Sequence, residues 1–182
     1  MSVDQPHSGG FLDEETLEKI ENLKGSTALY WDLAISQMAS VEGDERTGVR
    51  FALFGCAGKK LAGWQVGELV YEDTYRLQGH ADVKCITMHR EEAVCSGVVA
   101  NAQANPPVYD GGVQLNNGWY LAASGLRAEL DRVYCMLAAE GADMLSQLRR
   151  NTIMRKSPNE PLVYALLHEA NWCTFQNAIT SS

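Results

Sequence analysis

The sequence predicts an α+β domain, an antiparallel sheet covered by helices. Three observations carry this prediction: two hairpin-like pairs of short apolar runs, a strongly periodic helical segment between them, and further helical periodicity on either side. The order along the chain reads α, α, β, β, α, β, β, α and one appended helix. Two hairpins separated by a helix join into one sheet of four to five strands, and that sheet needs helices over its faces to bury its apolar side.

Residues 1–10 (MSVDQPHSGG) have no periodic apolar pattern and predict a disordered lead-in, with the ordered chain starting near Phe11. Asp13 is an N-cap, Glu14 and Glu15 an acidic first turn, and Leu17, Ile20 and Leu23 an apolar stripe, with Gly25 as the expected stop. A second helix follows directly from Ser26, with Tyr30, Leu33, Ala34, Gln37, Met38 and Val41 at helical spacing and Gly43 closing it. Val49 to Phe54 reads as a strand, Gly55 to Gly58 as a turn and Lys60 to Val66 as the returning strand. Tyr75 to Cys95 reads as the central helix, with Leu77, Ala81, Cys85, Met88 and Glu92 along one face.

Pro106 and Pro107 force an irregular loop over 97–110. Asn117-Gly118 between two apolar runs is the clearest hairpin signal in the chain, because the turn needs residues that tolerate positive φ. Ser124-Gly125 then opens a helix that carries Leu126, Leu130, Val133, Leu137, Met144, Leu145 and Leu148 on one stripe, with Arg149 and Arg150 at its negative end. A docked helix is expected over Pro161 to Ile179, so that 11–157 forms the domain and 158–182 the appended segment.

With 182 residues, 46% of them apolar and 21% charged, the chain has the composition of one globular domain. Its formal charge of −8 argues against a surface that tracks the phosphates of nucleic acid. Neither a membrane-length apolar run nor a leader pattern is visible, so the expected location is the cytoplasm. Five widely spaced cysteines without a Cys-x-x-Cys pair read as reduced thiols. Hydrolase, zinc-protease and nucleotide-binding motifs are all missing from the sequence, and those classes lose their usual support.

The element order and the words Ala81-Asp82-Val83-Lys84, Gly111-Gly112-Val113 and Ser124-Gly125-Leu126 followed by Asp131 resemble the GlcG/HbpS-like superfamily over about residues 23–141. Its members include haem-binding, haem-degradation-associated and corrinoid-linked domains. The resemblance implies a profilin-like α/β/α layering and a pocket at the central helix and second hairpin. Its implied ligand is a bulky apolar molecule with carboxylates, such as haem or a corrinoid, bound by a homo-oligomer. A subgroup of the family has His before the Gly-Gly pair and an acidic-His pair in the last helix. This chain holds Asp110 and Asp131-Arg132 there, so the histidine chemistry is not carried over.

The expected ligand-binding residues are Lys84, Met88, Tyr109, Asp110, Gly111, Gly112, Ser124 and Gly125. Each has a second reading, and for Met88 it is a place in the apolar core stripe of the central helix. Lys84 either neutralises a ligand carboxylate, as the resemblance implies, or snorkels to water on its aliphatic stem. Gly111 and Gly112 admit either a ligand or a neighbouring helix. Ser124-Gly125 either leaves N–H groups open to an anion or caps its own helix. Tyr109 and Asp110 supply a phenol and a carboxylate to a pocket rim, or are simply loop polarity. Cys85 and His89, four apart on one face, form a possible metal pair or plain core positions, whereas His80 and His89 point to opposite sides. Two further functional classes stay open: a metal-free enzyme acting on a small organic substrate through Asp110, and an assembly or adaptor protein.

Overall fold

The computed structural model describes residues 12–41 and 47–180, and the expectations for the lead-in, Phe11 and Gly43 fall outside that range. Helix α1 spans Glu14–Tyr30, and Asp13 caps it by accepting from the Thr16 N–H at 2.8 Å. Gly25 does not end it. Leu23, Ser26 and Thr27 are buried on either side of that glycine, and packing on this scale outweighs the cost of about 1 kcal/mol for a glycine inside a helix. One extra residue is accommodated at Trp31–Ile35, where the turn widens to π geometry and the Ser36 N–H reaches back to the Trp31 carbonyl. Helix α2, Ser36–Val41, continues the rod.

The strands are β1 (Gly48–Phe54), β2 (Lys60–Gly67), β3 (Gly112–Gln114) and β4 (Tyr120–Ser124). They form one antiparallel sheet in the order β2-β1-β4-β3. Both hairpins fall where the sequence places them, and β1 joins them by pairing with β4, Phe51 opposite Ala123. Alternation along β1 divides the core. Val49, Phe51 and Leu53 face the larger cluster, and Ala52 and Phe54 face a smaller one with Ala81, Cys85, Met88, Tyr120 and Ala122.

Helix α3, Tyr71–Arg90, covers the smaller cluster, with Ala93 and Val99 packed beside it. It begins four residues earlier and ends five earlier than its periodicity predicts. Glu92 adopts a left-handed φ of 51° and the Ala93 N–H returns to the Met88 carbonyl at 2.9 Å, closing the helix so that Ala93 and Cys95 turn into the core. On the opposite face lie α1, α4 (Ala128–Gly141) and α6 (Glu160–Thr180), which completes three layers.

The single long helix expected after the second hairpin is two helices. After α4 the chain takes a left-handed residue at Asp143, buries Met144 and Leu145, and restarts as α5 (Gln147–Lys156) with Ser146 as cap. Arg149 and Arg150 therefore stand at the positive end of α5, against expectation. Arg150 is held there by Glu140 at 3.0 Å, and Arg149 Nε donates to the Gln114 carbonyl at 3.4 Å. Helix α6 docks where predicted, burying Val163, Leu166, Leu167, Ala170 and Cys173, and Asn177 Nδ2 donates to the Leu33 carbonyl of the widened turn at 2.7 Å. Among the described residues no helix is long and apolar enough to cross a membrane.

Candidate functional site

Helix α3 and the β4–α4 connection enclose a cleft of about 280 Å³. It is lined by Arg76, His80, Lys84, Tyr109, Asp110, Ser124 and Asp131, with Leu77, Leu126 and Ala128 as apolar wall. The polar side of α3 arises from spacing: Arg76, His80 and Lys84 are successive i, i+4 positions and share one helical face.

Lys84 is 2% exposed and does not snorkel. Its Nζ donates to the Ala123 carbonyl at 2.5 Å and lies 3.5 Å from Asp131 Oδ2. The other Asp131 oxygen accepts from the Leu126 N–H at 3.1 Å. One carboxylate thus ties α3 to the loop that leads into α4. Burial pushes the Asp131 carboxyl up to about 6, against the opposing pull of Lys84 and of the Leu126 and Gly125 N–H groups. Ser124 is the last residue of β4 and Arg127 the N-cap of α4, so Ser124 does not cap the helix.

Asp110 makes the second buried pair. Arg132 is fully buried in α4 and its guanidinium grips the Asp110 carboxylate, with Nε donating to Oδ1 at 3.1 Å. Burial lowers the pKa of Arg132. Asp110 Oδ1 also accepts from the Gly111 N–H at 2.7 Å, and the Gly112 N–H is taken by Ser96 Oγ at 2.8 Å. Both glycine amides therefore have protein partners. Gly111 has φ 117°, and a Cβ there would stand 2.6 Å from Asp131 Cβ and 2.8 Å from Lys84 Nζ. At Gly112 a Cβ would stand 2.7 Å from Met88 Cε, and at Gly125 2.6 Å from the Gly48 carbonyl oxygen. Close packing of backbone accounts for all three.

Of the residues nominated from sequence, Lys84, Tyr109, Asp110 and Ser124 meet in the cleft, while Met88, Gly111, Gly112 and Gly125 lie behind its wall. Cys85 and His89 do not line it. Cys85 Sγ faces the Ala52 and Tyr120 carbonyls at 3.5 and 3.4 Å, where burial raises its thiol pKa, and His89 packs its ring on Tyr120 at 5.6 Å. Sequence reasoning missed Arg76 and His80 as cleft residues, although their spacing from Lys84 was a readable signal. At the mouth, His80 sets its ring 5.3 Å from that of Tyr109. Burial lowers the His80 pKa, and so do the neighbouring charges of Lys84 and Arg76.

The architecture has solved counterparts. A PduOC:heme complex superposes with a TM-score of 0.50 at 13% identity, covering 72% of this chain and 95% of that one. The chain shares the fold of that domain. Protein ORFY of Klebsiella pneumoniae (TM-score 0.47, 12% identity, 79% of this chain and 100% of that one) is also similar. So is an HbpS double mutant of Streptomyces reticuli (TM-score 0.46, 16% identity, 77% of this chain and 94% of that one). No family model matches the chain, and no curated protein matches it.

Proposed function

We propose that the chain is a binding domain for a small organic molecule carrying a carboxylate, held in the cleft between α3 and the β4–α4 connection. The observation that carries the reading is how charge is distributed there. Asp131 is offset by Lys84 and Asp110 by Arg132, both inside the protein. The cations left at the mouth are Arg76 and, when protonated, His80. Arg76 also holds Asp73 at 2.5 Å, an exposed pair. Such pairs contribute under about 1 kcal/mol and exchange readily for a ligand's carboxylate.

Haem is the ligand of the PduOC complex and carries carboxylate arms. A volume of about 280 Å³ falls just below the roughly 300–1,000 Å³ of typical ligand sites. It suits one such arm or a small acid. His80 and Tyr109 are the donors of the kind haem iron takes that line this cleft. Hemin titration tests the reading. A saturable Soret shift that Arg76→Gln and His80→Gln each weaken by about tenfold, the scale of one charge-assisted contact, supports it. Featureless binding, or binding indifferent to both substitutions, overturns the haem assignment. Titration of small carboxylates followed by His80 ring resonances then tests the broader one. Both variants lie at the mouth, which spares the core that Gly112→Val would disturb through Met88.

A further inference from the structure

The two walls of the cleft carry opposite charge. Helix α3 contributes Arg76, His80 when protonated, and Lys84, while Asp110 at the entry to β3 and Asp131 in α4 line the other side. The two carboxylates differ in how fully they are served. Asp110 accepts at Oδ1 from Arg132 Nε, the Gly111 N–H and the Ser96 hydroxyl, and its Oδ2 meets the same guanidinium. An ionised carboxylate accepts at about four positions, so Asp110 is full. Asp131 is not. It is 2% exposed, and its Oδ1 takes the Leu126 N–H at 3.1 Å. Lys84 Nζ stands off Oδ2 at 3.5 Å and makes its short bond, 2.5 Å, to the Ala123 carbonyl instead. A contact that long is at the outer limit of a hydrogen bond. Burial raises the Asp131 pKa even against Lys84 and the Leu126 and Gly125 N–H groups, as it does for a carboxylate short of cationic contact. Asp131 Oδ2 thus keeps acceptor capacity inside the cleft.

We propose that the cleft takes a short ω-amino acid, with its carboxylate at Arg76 and His80 and its ammonium on Asp131 Oδ2. This rests on the carboxylate site proposed above and narrows its ligand to one class. Spacing sets the length. Lys84, His80 and Arg76 are successive steps of four residues along α3, about 6 Å of rise each, and Asp131 stands beside Lys84 Nζ. The two charges of the ligand are therefore separated by about one helical turn. That is the reach of several methylenes, and more than the single carbon between the charges of an α-amino acid. Leu77, Leu126 and Ala128 supply apolar wall for those methylenes. The plain acid of equal length is disfavoured, because its apolar end would cover Asp131 Oδ2 and leave a buried acceptor unsatisfied.

Calorimetric titration of the full wild-type chain with γ-aminobutyrate, butyrate and glycine, at a pH above the Asp131 transition, tests this directly. The expected order places γ-aminobutyrate about tenfold tighter than butyrate, the scale of one charge-assisted contact, and also tighter than glycine. Arg76→Gln weakens γ-aminobutyrate and butyrate alike, since both use the carboxylate end. Asp131→Asn abolishes the advantage of the amine. A second measurement needs no variant. In the wild type γ-aminobutyrate lowers the midpoint of the Asp131 carboxyl resonance, because an ammonium beside it favours the ionised form, and butyrate does not. Butyrate binding as tightly as γ-aminobutyrate overturns the inference and leaves the carboxylate site standing. Glycine binding as tightly as γ-aminobutyrate, or an Asp131 midpoint that γ-aminobutyrate does not lower, also overturns it. Absence of binding by all three acids overturns the inference together with the small-acid reading on which it rests.

Discussion

Arg132 and Asp110 form an ion pair between α4 and the start of β3, with Arg132 Nε donating to Asp110 Oδ1 at 3.1 Å and the guanidinium fully buried. These are the two places where a subgroup of the resembling family carries histidine. The pair takes Asp110 into the wall of the cleft as a structural carboxylate with three kinds of donor on it, Arg132, Gly111 N–H and Ser96 hydroxyl.

Breaking this pair from one side strands a buried charge. Arg132→Met or Asp110→Leu alone is expected to cost about 3–5 kcal/mol in urea unfolding, and the double replacement to recover a large part of that loss. Additive losses in the double variant would show that the two groups do not stabilise each other.

Gly111→Ala attacks the same region through shape. The added methyl meets Asp131 and Lys84 at under 3 Å on a backbone with φ 117°, so a loss of about 2–4 kcal/mol is expected. Gly25→Ala is the contrasting case, since nothing lies within 4 Å of the new methyl. Inside α1 it is expected to stabilise by about 0.5–1 kcal/mol. Thermal unfolding of the two variants should move in opposite directions.

The sheet was legible in the sequence because its signals are local. Asn117-Gly118 and Gly55 to Gly58 each mark a turn, and the flanking runs are short and apolar. Helix ends were less legible because tertiary packing decides them: α1 passes Gly25 under buried neighbours, and α4 breaks so that Met144 and Leu145 can enter the core. The cleft was half legible. Lys84, Tyr109, Asp110 and Ser124 come from three separate segments that the expected layering brings together. The partner of Asp110 was hidden, because an arginine between Asp131 and Val133 gives no sign of what it faces until α4 is docked against β3.

Asp131 gives the stability an unusual pH slope. Burial pushes its carboxyl up to about 6 in the folded chain, from the ordinary 3.8. The folded state therefore binds the proton more tightly, and the contribution is fully present below pH 3.8 and lost as pH rises through 6. A difference of about two units corresponds to roughly 3 kcal/mol. Carboxyl resonances should show the midpoint near 6, and Lys84→Met should move it higher, because Lys84 favours the ionised form. A midpoint near 4 in the folded protein would contradict this account of the pair.

His80 supplies the complementary test at the cleft mouth. Burial, Lys84 and Arg76 all lower its pKa, so its imidazole is expected to titrate below the ordinary 6.5. Arg76→Gln removes one repelling charge and should raise the midpoint. A bound carboxylate favours the imidazolium, so occupancy should also raise it. By linkage, affinity for such a ligand should then increase as pH falls through the His80 transition. His80→Gln removes the His80 part of that pH dependence, and the part that remains follows Asp131, whose carboxyl lines the same cleft. Proton resonances of the ring, followed with and without a saturating carboxylate ligand, measure both shifts in one titration. A midpoint that does not move on saturation would place the ligand elsewhere on the molecule.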